Sequence, residues 1–109
     1  MSQIKLETIA DALTTIDGLK VFHYWRYEKD APYCIWEEDG DIGFDTDNHK
    51  GENGYTGSVN LFTHTEFDPY VDSIEAALNE VENLYWRYDG ADYEDETNLI
   101  HHRWVWRLL

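Results

Sequence analysis

Apolar positions recur three and four residues apart over residues 2–16. Leu6, Ile9, Leu13 and Ile16 form one stripe, while Lys5, Glu7, Asp11 and Thr15 lie away from it. This spacing predicts an amphipathic helix, with Ser2 as its N-cap and Gly18 where a helix ends in a left-handed residue. The next segment, "LKVFHYWRY" (19–27), is rich in aromatic and β-branched residues and reads as a strand with aromatics on both faces. "EKDAP" turns the chain, Pro32 opens the following run, and "YCIWEE" (33–38) reads as a second strand. Two strands joined so closely predict an antiparallel hairpin.

A long alternating run covers 55–67. Tyr55, Val59, Leu61, Thr63 and Thr65 fall on one face, and Thr56, Ser58, Asn60, Phe62 and His64 on the other, with Gly57 at a bulge position. Residues 68–88 return to helical spacing: Val71, Ile74, Leu78, Val81, Tyr85 and Tyr88 are three and four apart. Asp68 is placed to cap this helix and Pro69 to begin it, and Asp72 and Glu75 sit near the positive end of its dipole. "DGADYEDETN" (89–98) holds five acids and no base and reads as a solvated loop. "LIHHRWVWRLL" (99–109) closes the chain as a strand, with Ile100, Trp104, Trp106 and Leu108 on one face and His101, Arg103, Val105 and Arg107 on the other.

The expected order is α-β-β-β-α-β within a single domain, 1–109. That order predicts an α+β two-layer sandwich: a mostly antiparallel sheet of about four strands with both helices on one face. The 109 residues suffice for one core, since a chain of this size buries about 60% or more of its unfolded surface. Cys34 is the single cysteine, so no internal disulfide forms. "MSQIKLETIADALTTI" alternates where a signal peptide needs a continuous apolar run, and the chain reads as a soluble protein without an address.

Charge changes the picture more than length does. Eight Lys and Arg face 23 Asp and Glu, a net charge of −15. Such a surface repels nucleic-acid phosphates and anionic lipid, so neither nucleic acid nor membrane is an expected partner. The acidity either mimics the charge of DNA, faces a basic partner or aqueous channel, or keeps an aromatic-rich domain soluble.

Catalytic and metal motifs are scarce. The stretch "DTDNHKGENG" (45–54) starts like a calcium loop at Asp45 and Asp47, but the positions that need a third oxygen ligand, a glycine and a glutamate hold His49, Lys50 and Thr56. It reads as a long polar loop between strands, and loops of that length tend to be functional or mobile. Histidines 23, 49, 64, 101 and 102 lack metal-ligand spacing, and neighbours on a strand point to opposite faces. A site built from His23, His64 and one of the pair would have to span neighbouring strands. Cys34 lacks a CxxC partner, and no GxSxG, P-loop or GxGxxG motif occurs. No catalytic residue, metal or cofactor is expected, and the chain is read as a non-enzyme.

Five tryptophans and eight tyrosines exceed what one core of this size needs. Tyr, Trp and Arg concentrate interface energy. A protein interface is therefore expected at Trp25, Trp36, Arg103, Trp104, Trp106 and Arg107.

With these elements in order, the chain resembles the small tail-terminator (tail-completion, minor tail) proteins of long-tailed bacteriophages and prophages of Gram-positive bacteria. The resemblance is carried by the first helix ending in "IDGLKVFHYW", the "APYCIW" strand, the polar loop, "GSVNLFTHTEFDPYVDSIEAALNE" and the closing "NLIHHRWVWRLL". It implies the α+β fold above and a homo-oligomeric ring, commonly a hexamer, that caps the tail tube where it meets the head. It also implies tail-tube and head completion proteins as partners, a place in the virion tail, and assembly in the host cytoplasm. Loop 41–54, with Asp45, Asp47, His49 and Lys50, would be ordered by assembly. An acidic ring lumen would let DNA slide past by like-charge repulsion. The alternatives are another head–tail joining or minor tail protein, or an acidic DNA-mimicking inhibitor. The latter should carry its acids in a stripe at phosphate spacing, whereas these cluster in 28–30, 37–47 and 89–96.

Overall fold

The computed structural model describes residues 4–26, 30–42 and 54–109. The chain runs α1 (Ile4–Thr14), β1 (Lys20–His23), β2 (Tyr33–Ile42), β3 (Gly54–Thr63), α2 (Tyr70–Asn79), β4 (Leu84–Glu94) and β5 (Leu99–Leu108). Among the described residues the strands form one mixed sheet in the order β1-β2-β3-β5-β4. The fold is α+β with two helices, as the periodicity predicts, but the sheet has five strands rather than about four.

The helical stripe of α1 does what its spacing requires: Leu6, Ile9 and Leu13 are buried. The helix ends before Gly18, whose φ of +81° an L side chain rarely adopts. From α2, Ile74, Ala77 and Leu78 enter the same core, followed by Val81 just beyond the helix. Asp68 caps as expected, its Oδ1 accepting the Tyr70 N–H at 2.8 Å while Oδ2 accepts the Thr63 hydroxyl at 2.6 Å. The capping residue thereby ties the start of α2 to the end of β3. A second tie is the Tyr70 hydroxyl, which donates to the Asp17 carbonyl at 3.2 Å.

Both helices cover one face of the sheet. That face presents Cys34 and Trp36 from β2, Tyr55, Val59 and Leu61 from β3, and Trp104, Trp106 and Leu108 from β5. The expected face assignment stands along 55–63, but the strand expected to run to 67 ends at Thr63, and Thr65 beyond it is exposed. Gly57 is not a bulge; it pairs in register with both Glu38 and Trp106. Its missing side chain is a matter of space, because a Cβ there would lie 2.1 Å from the Glu37 carbonyl and 2.3 Å from the Trp106 ring. The irregularity falls across from it, between Glu38 and Gly40 of β2.

Two expectations are corrected. β1 and β2 are parallel, Lys20 opposite Tyr33 and His23 opposite Trp36, not an antiparallel hairpin. Tyr24, at φ 76°, turns the chain out of β1, and Arg26 then lies over the Tyr33 ring. β2 then begins beside the start of β1 and runs in the same direction. The second correction concerns 84–94, expected as helix and loop but observed as β4, paired antiparallel to β5 from Leu84–Leu108 to Glu94–Leu99. Asn83 at φ 65° ends the helical path after Val81, and the aromatic run "LYWRY" then takes the strand conformation its side chains favour. The acids Asp89, Asp92 and Glu94 consequently lie on an edge strand, where charge guards against edge-to-edge pairing.

Candidate assembly surface

β5 sorts the expected interface residues by alternation. Trp104 and Trp106 are 0% and 3% exposed on the helix-covered face, and Trp36 is 4% exposed beside them. The Trp104 indole N–H donates to Glu75 Oε2 of α2 at 2.9 Å. These three tryptophans hold the helix layer to the sheet, so their side chains are out of a partner's reach in this fold. Arg103 and Arg107 point the other way, onto the open face, and Trp25 is exposed at the β1 edge. The residues Asp45, Asp47, His49 and Lys50 lie outside the described residues.

The open face has a structure of its own. At the β1–β2 end, Phe22 meets Tyr33 edge-on at 6.5 Å, Tyr33 stacks on Phe62 at 5.0 Å, and Phe62 stacks on His101 at 4.3 Å. One row of rings thereby crosses β1, β2, β3 and β5. Arg26 closes the end of the row, its guanidinium 5.1 Å from the Tyr33 ring centre and hydrogen-bonded to the Tyr33 hydroxyl. Asn60 sits beside the row, donating to the Ile35 carbonyl and the Ser58 hydroxyl, and its Oδ1 lies 2.7 Å from His101 Nε2. Since Asn60 Oδ1 only accepts, His101 carries its proton on Nε2. Burial holds the His101 pKa below its ordinary value, which keeps the ring neutral.

The other end of the open face gathers three arginines, Arg87, Arg103 and Arg107, with Asp89 and Asp39 among them. Asp89, at the irregularity between Tyr88 and Gly90 of β4, accepts from Arg87 at 2.9 Å and from Arg103 at 3.1 Å. Arg107 lies 5.7 Å from the ring centre of Tyr85, and Tyr85 is 55% exposed. Tyr85, Arg87, Val105 and Arg107, with Thr56 and Asp39, line a groove of about 490 Å³. Of the eight basic residues in the chain, Lys20, Arg26, Arg87, Arg103 and Arg107 all lie on this face.

The remaining candidate chemistry is dispersed. His23 stacks on Trp36 at 4.0 Å at the sheet edge and lies 2.7 Å from Glu38 Oε1. Burial alone would raise the Glu38 carboxyl, but the hydrogen bond with His23 holds it below the ordinary range. His64 Nδ1 is 2.9 Å from the Asn98 carbonyl, and His102 Nδ1 is 2.9 Å from the Tyr88 hydroxyl on the helix side. Among the described residues no group of three His, Cys, Asp or Glu converges to hold a metal. Burial pushes the Cys34 thiol up to about 12, so it stays protonated and poorly nucleophilic near neutral pH. Exposed Tyr and Arg side chains, such as Tyr85 and Arg107 at the groove, are residue types enriched at protein interfaces.

Sequence reading misses two parts of this surface. Phe62 is placed on the correct face, but the row it joins depends on strand register, which one sequence does not reveal. Tyr85 and Arg87 are assigned to a helix; their signal is the aromatic density of "LYWRY", which outweighs the helical spacing.

No family model matches the chain, and no curated protein matches it. Its fold is similar to that of a chain in the virion of a native gene transfer agent (GTA) particle. The TM-score is 0.59 at 14% identity, covering 91% of this chain and 88% of that chain.

Proposed function

We propose that this chain is a structural component of a phage-like virion, acting by assembly rather than catalysis. At the finer level it is a tail terminator, or tail-completion protein. It forms a homo-oligomeric ring, a hexamer, that caps the tail tube and presents a docking surface to head completion proteins. The observation that carries this reading is the fold likeness to a chain of the GTA virion, which extends over nearly all of both chains. The order of elements along the sequence supports it independently, and the open sheet face supplies a surface of the right composition. The ring acts stoichiometrically: once seated, it removes the end on which the tube grows. Arg103, Arg107 and Trp25 are its expected contact residues; Trp36, Trp104 and Trp106 are part of its frame.

The test is light scattering across protein concentration, alone and with purified tail-tube protein. A ring-sized species in either condition is the expected result. A strict monomer in both would overturn the reading.

A further inference from the structure

The two broad surfaces of the molecule differ in charge. On the helix layer, Glu7, Asp11, Asp17, Asp72, Glu80 and Glu82 are exposed, and among the described residues Lys5 is the one base there. Outward of the helices, Asp17 and Glu80 rim a groove of about 490 Å³ between the end of α1 and α2, floored by Ser73, Ala76 and Ala77. On the opposite surface, the open sheet face carries five of the eight basic residues, offset by Glu37, Asp39, Asp89 and Asp92, so that it is near balance where the helix layer is strongly acidic. Its corner exposes Tyr85, Arg87 and Arg107, and no carboxylate among the described residues pairs with Arg107. A net charge of −15 makes two copies repel when approached at random. An orientation that sets the arginine corner of one copy against the acidic layer of another turns that repulsion into attraction at contact.

We propose that copies of this chain associate head to tail, the Tyr85–Arg87–Arg107 corner of one subunit docking on the Asp17–Glu80 groove of the next. This rests on the assembly reading above and assigns its two surfaces. Such a contact is heterologous, so each subunit offers one donor surface and one acceptor surface, and repetition closes a ring or grows a filament. Sheet-on-sheet pairing about an axis near the corner would set Arg107 against Arg107, and helix-on-helix pairing would set acid against acid; both cost free energy. The arginines bring forked donors and an aromatic platform, and the groove brings carboxylates flanked by small side chains. This is the pairing in which arginine outperforms lysine.

The experiment uses two charge-reversed proteins and their mixture, with the wild type beside them, each alone and with tail-tube protein. One carries Arg87→Glu and Arg107→Glu, the other Asp17→Lys and Glu80→Lys; all four side chains are exposed, and circular dichroism checks that each variant folds. Each variant alone is expected to self-associate about a hundredfold more weakly than wild type, or worse. Mixed in equal amounts they are expected to assemble again. The reversed corner then meets the reversed groove, and the two unaltered surfaces meet each other. Assembly by either variant alone at wild-type strength overturns the proposal, and so does failure of the mixture to assemble. If the wild type is itself monomeric with and without tube protein, the assembly reading fails first, and the two failures are told apart.

Discussion

The sheet has two faces, and each is rich in aromatic rings, yet the rings do different work. On the helix-covered face Trp36, Trp104 and Trp106 are enclosed by the aliphatic residues of α1 and α2, and the Trp104 indole finds its partner in Glu75. On the open face Phe22, Tyr33, Phe62 and His101 lean on one another, and Tyr85, Arg87 and Arg107 stand in solvent. Covered rings are held by burial of apolar area, which scales with the surface removed from water. Open-face rings gain a smaller pairwise term; Tyr33 is enclosed within its row at 1% exposed, while Tyr85 stays in solvent and is available to a partner. A tryptophan count alone therefore says little about an interface. Strand alternation decides which rings are frame and which are surface.

The comparison breaks most visibly at Trp104. Trp104→Ala removes a fully buried ring from between β5 and α2 and strips the Glu75 carboxylate of its indole donor. A loss of about 3–5 kcal/mol is expected, against a total stability of about 5–15 kcal/mol for an ordinary domain. Urea unfolding followed by tryptophan fluorescence and circular dichroism measures it. A loss below about 1 kcal/mol would mean that the covered face is not the core that holds the layers together.

How much of this was legible beforehand follows the range of the interactions involved. α1, the faces of 55–63 and the two faces of β5 were readable because alternation and helical spacing are local properties of the chain. The direction of β2 relative to β1 was not. Two aromatic runs joined by a short link favour a hairpin, but the strands pair in parallel, with the Tyr24 N–H donating to the Trp36 carbonyl and Arg26 lying over the Tyr33 ring. The extent of α2 was misread because Val81, Tyr85 and Tyr88 keep helical spacing by coincidence. The pairing of Tyr85 with Arg107 and of Tyr88 with Trp104 exists only once β5 is in place. The same misreading hid half of the candidate surface, since Tyr85 and Arg87 become surface groups on the open face only when 84–94 is a strand.

Acid sharpens the comparison in the middle range, because each face holds one histidine of the adjacent pair. Burial lowers the pKa of both His101, on the open side, and His102, on the helix side, from the ordinary 6.5. Asp92 and Glu94 act against the shift at His101, Arg103 and His102 add to it, and Asp68 acts against it at His102. The folded state thus prefers neutral rings, while the unfolded chain takes up protons as the pH falls through 6.5. Their contribution to stability is complete above that value and declines below it, until the lowered folded-state values are passed. Thermal midpoints recorded from about pH 7.5 down to about pH 5.5 should fall. They should fall less in His101→Asn and in His102→Asn, the remainder belonging to the other ring. A midpoint that rises on acidification would reverse the sign assigned here.

The smallest effect on folding is expected where the effect on assembly is largest. The Arg107 side chain is exposed and lies over the Tyr85 ring, and Arg87 shares a carboxylate with Arg103 while its side chain is 70% exposed. Exposed ion pairs contribute about 0–1 kcal/mol, and the cation–ring contact at an exposed site is of the same order. Arg107→Ala should therefore shift stability by about 0.5 kcal/mol or less, a change near the error of chemical unfolding. The same substitution removes a groove arginine that forms no ion pair among the described residues, so subunit association should weaken clearly. Paired measurements on one protein, unfolding and light scattering, separate the two roles. A frame residue lowers both together, because assembly fails when the fold does. A surface residue lowers association and leaves unfolding where it was, and Arg107→Ala is expected to behave as the second kind while Trp104→Ala behaves as the first. If Arg107→Ala instead cost as much stability as a core truncation, the open face would be a second structural layer of the protein rather than the place where it meets a partner.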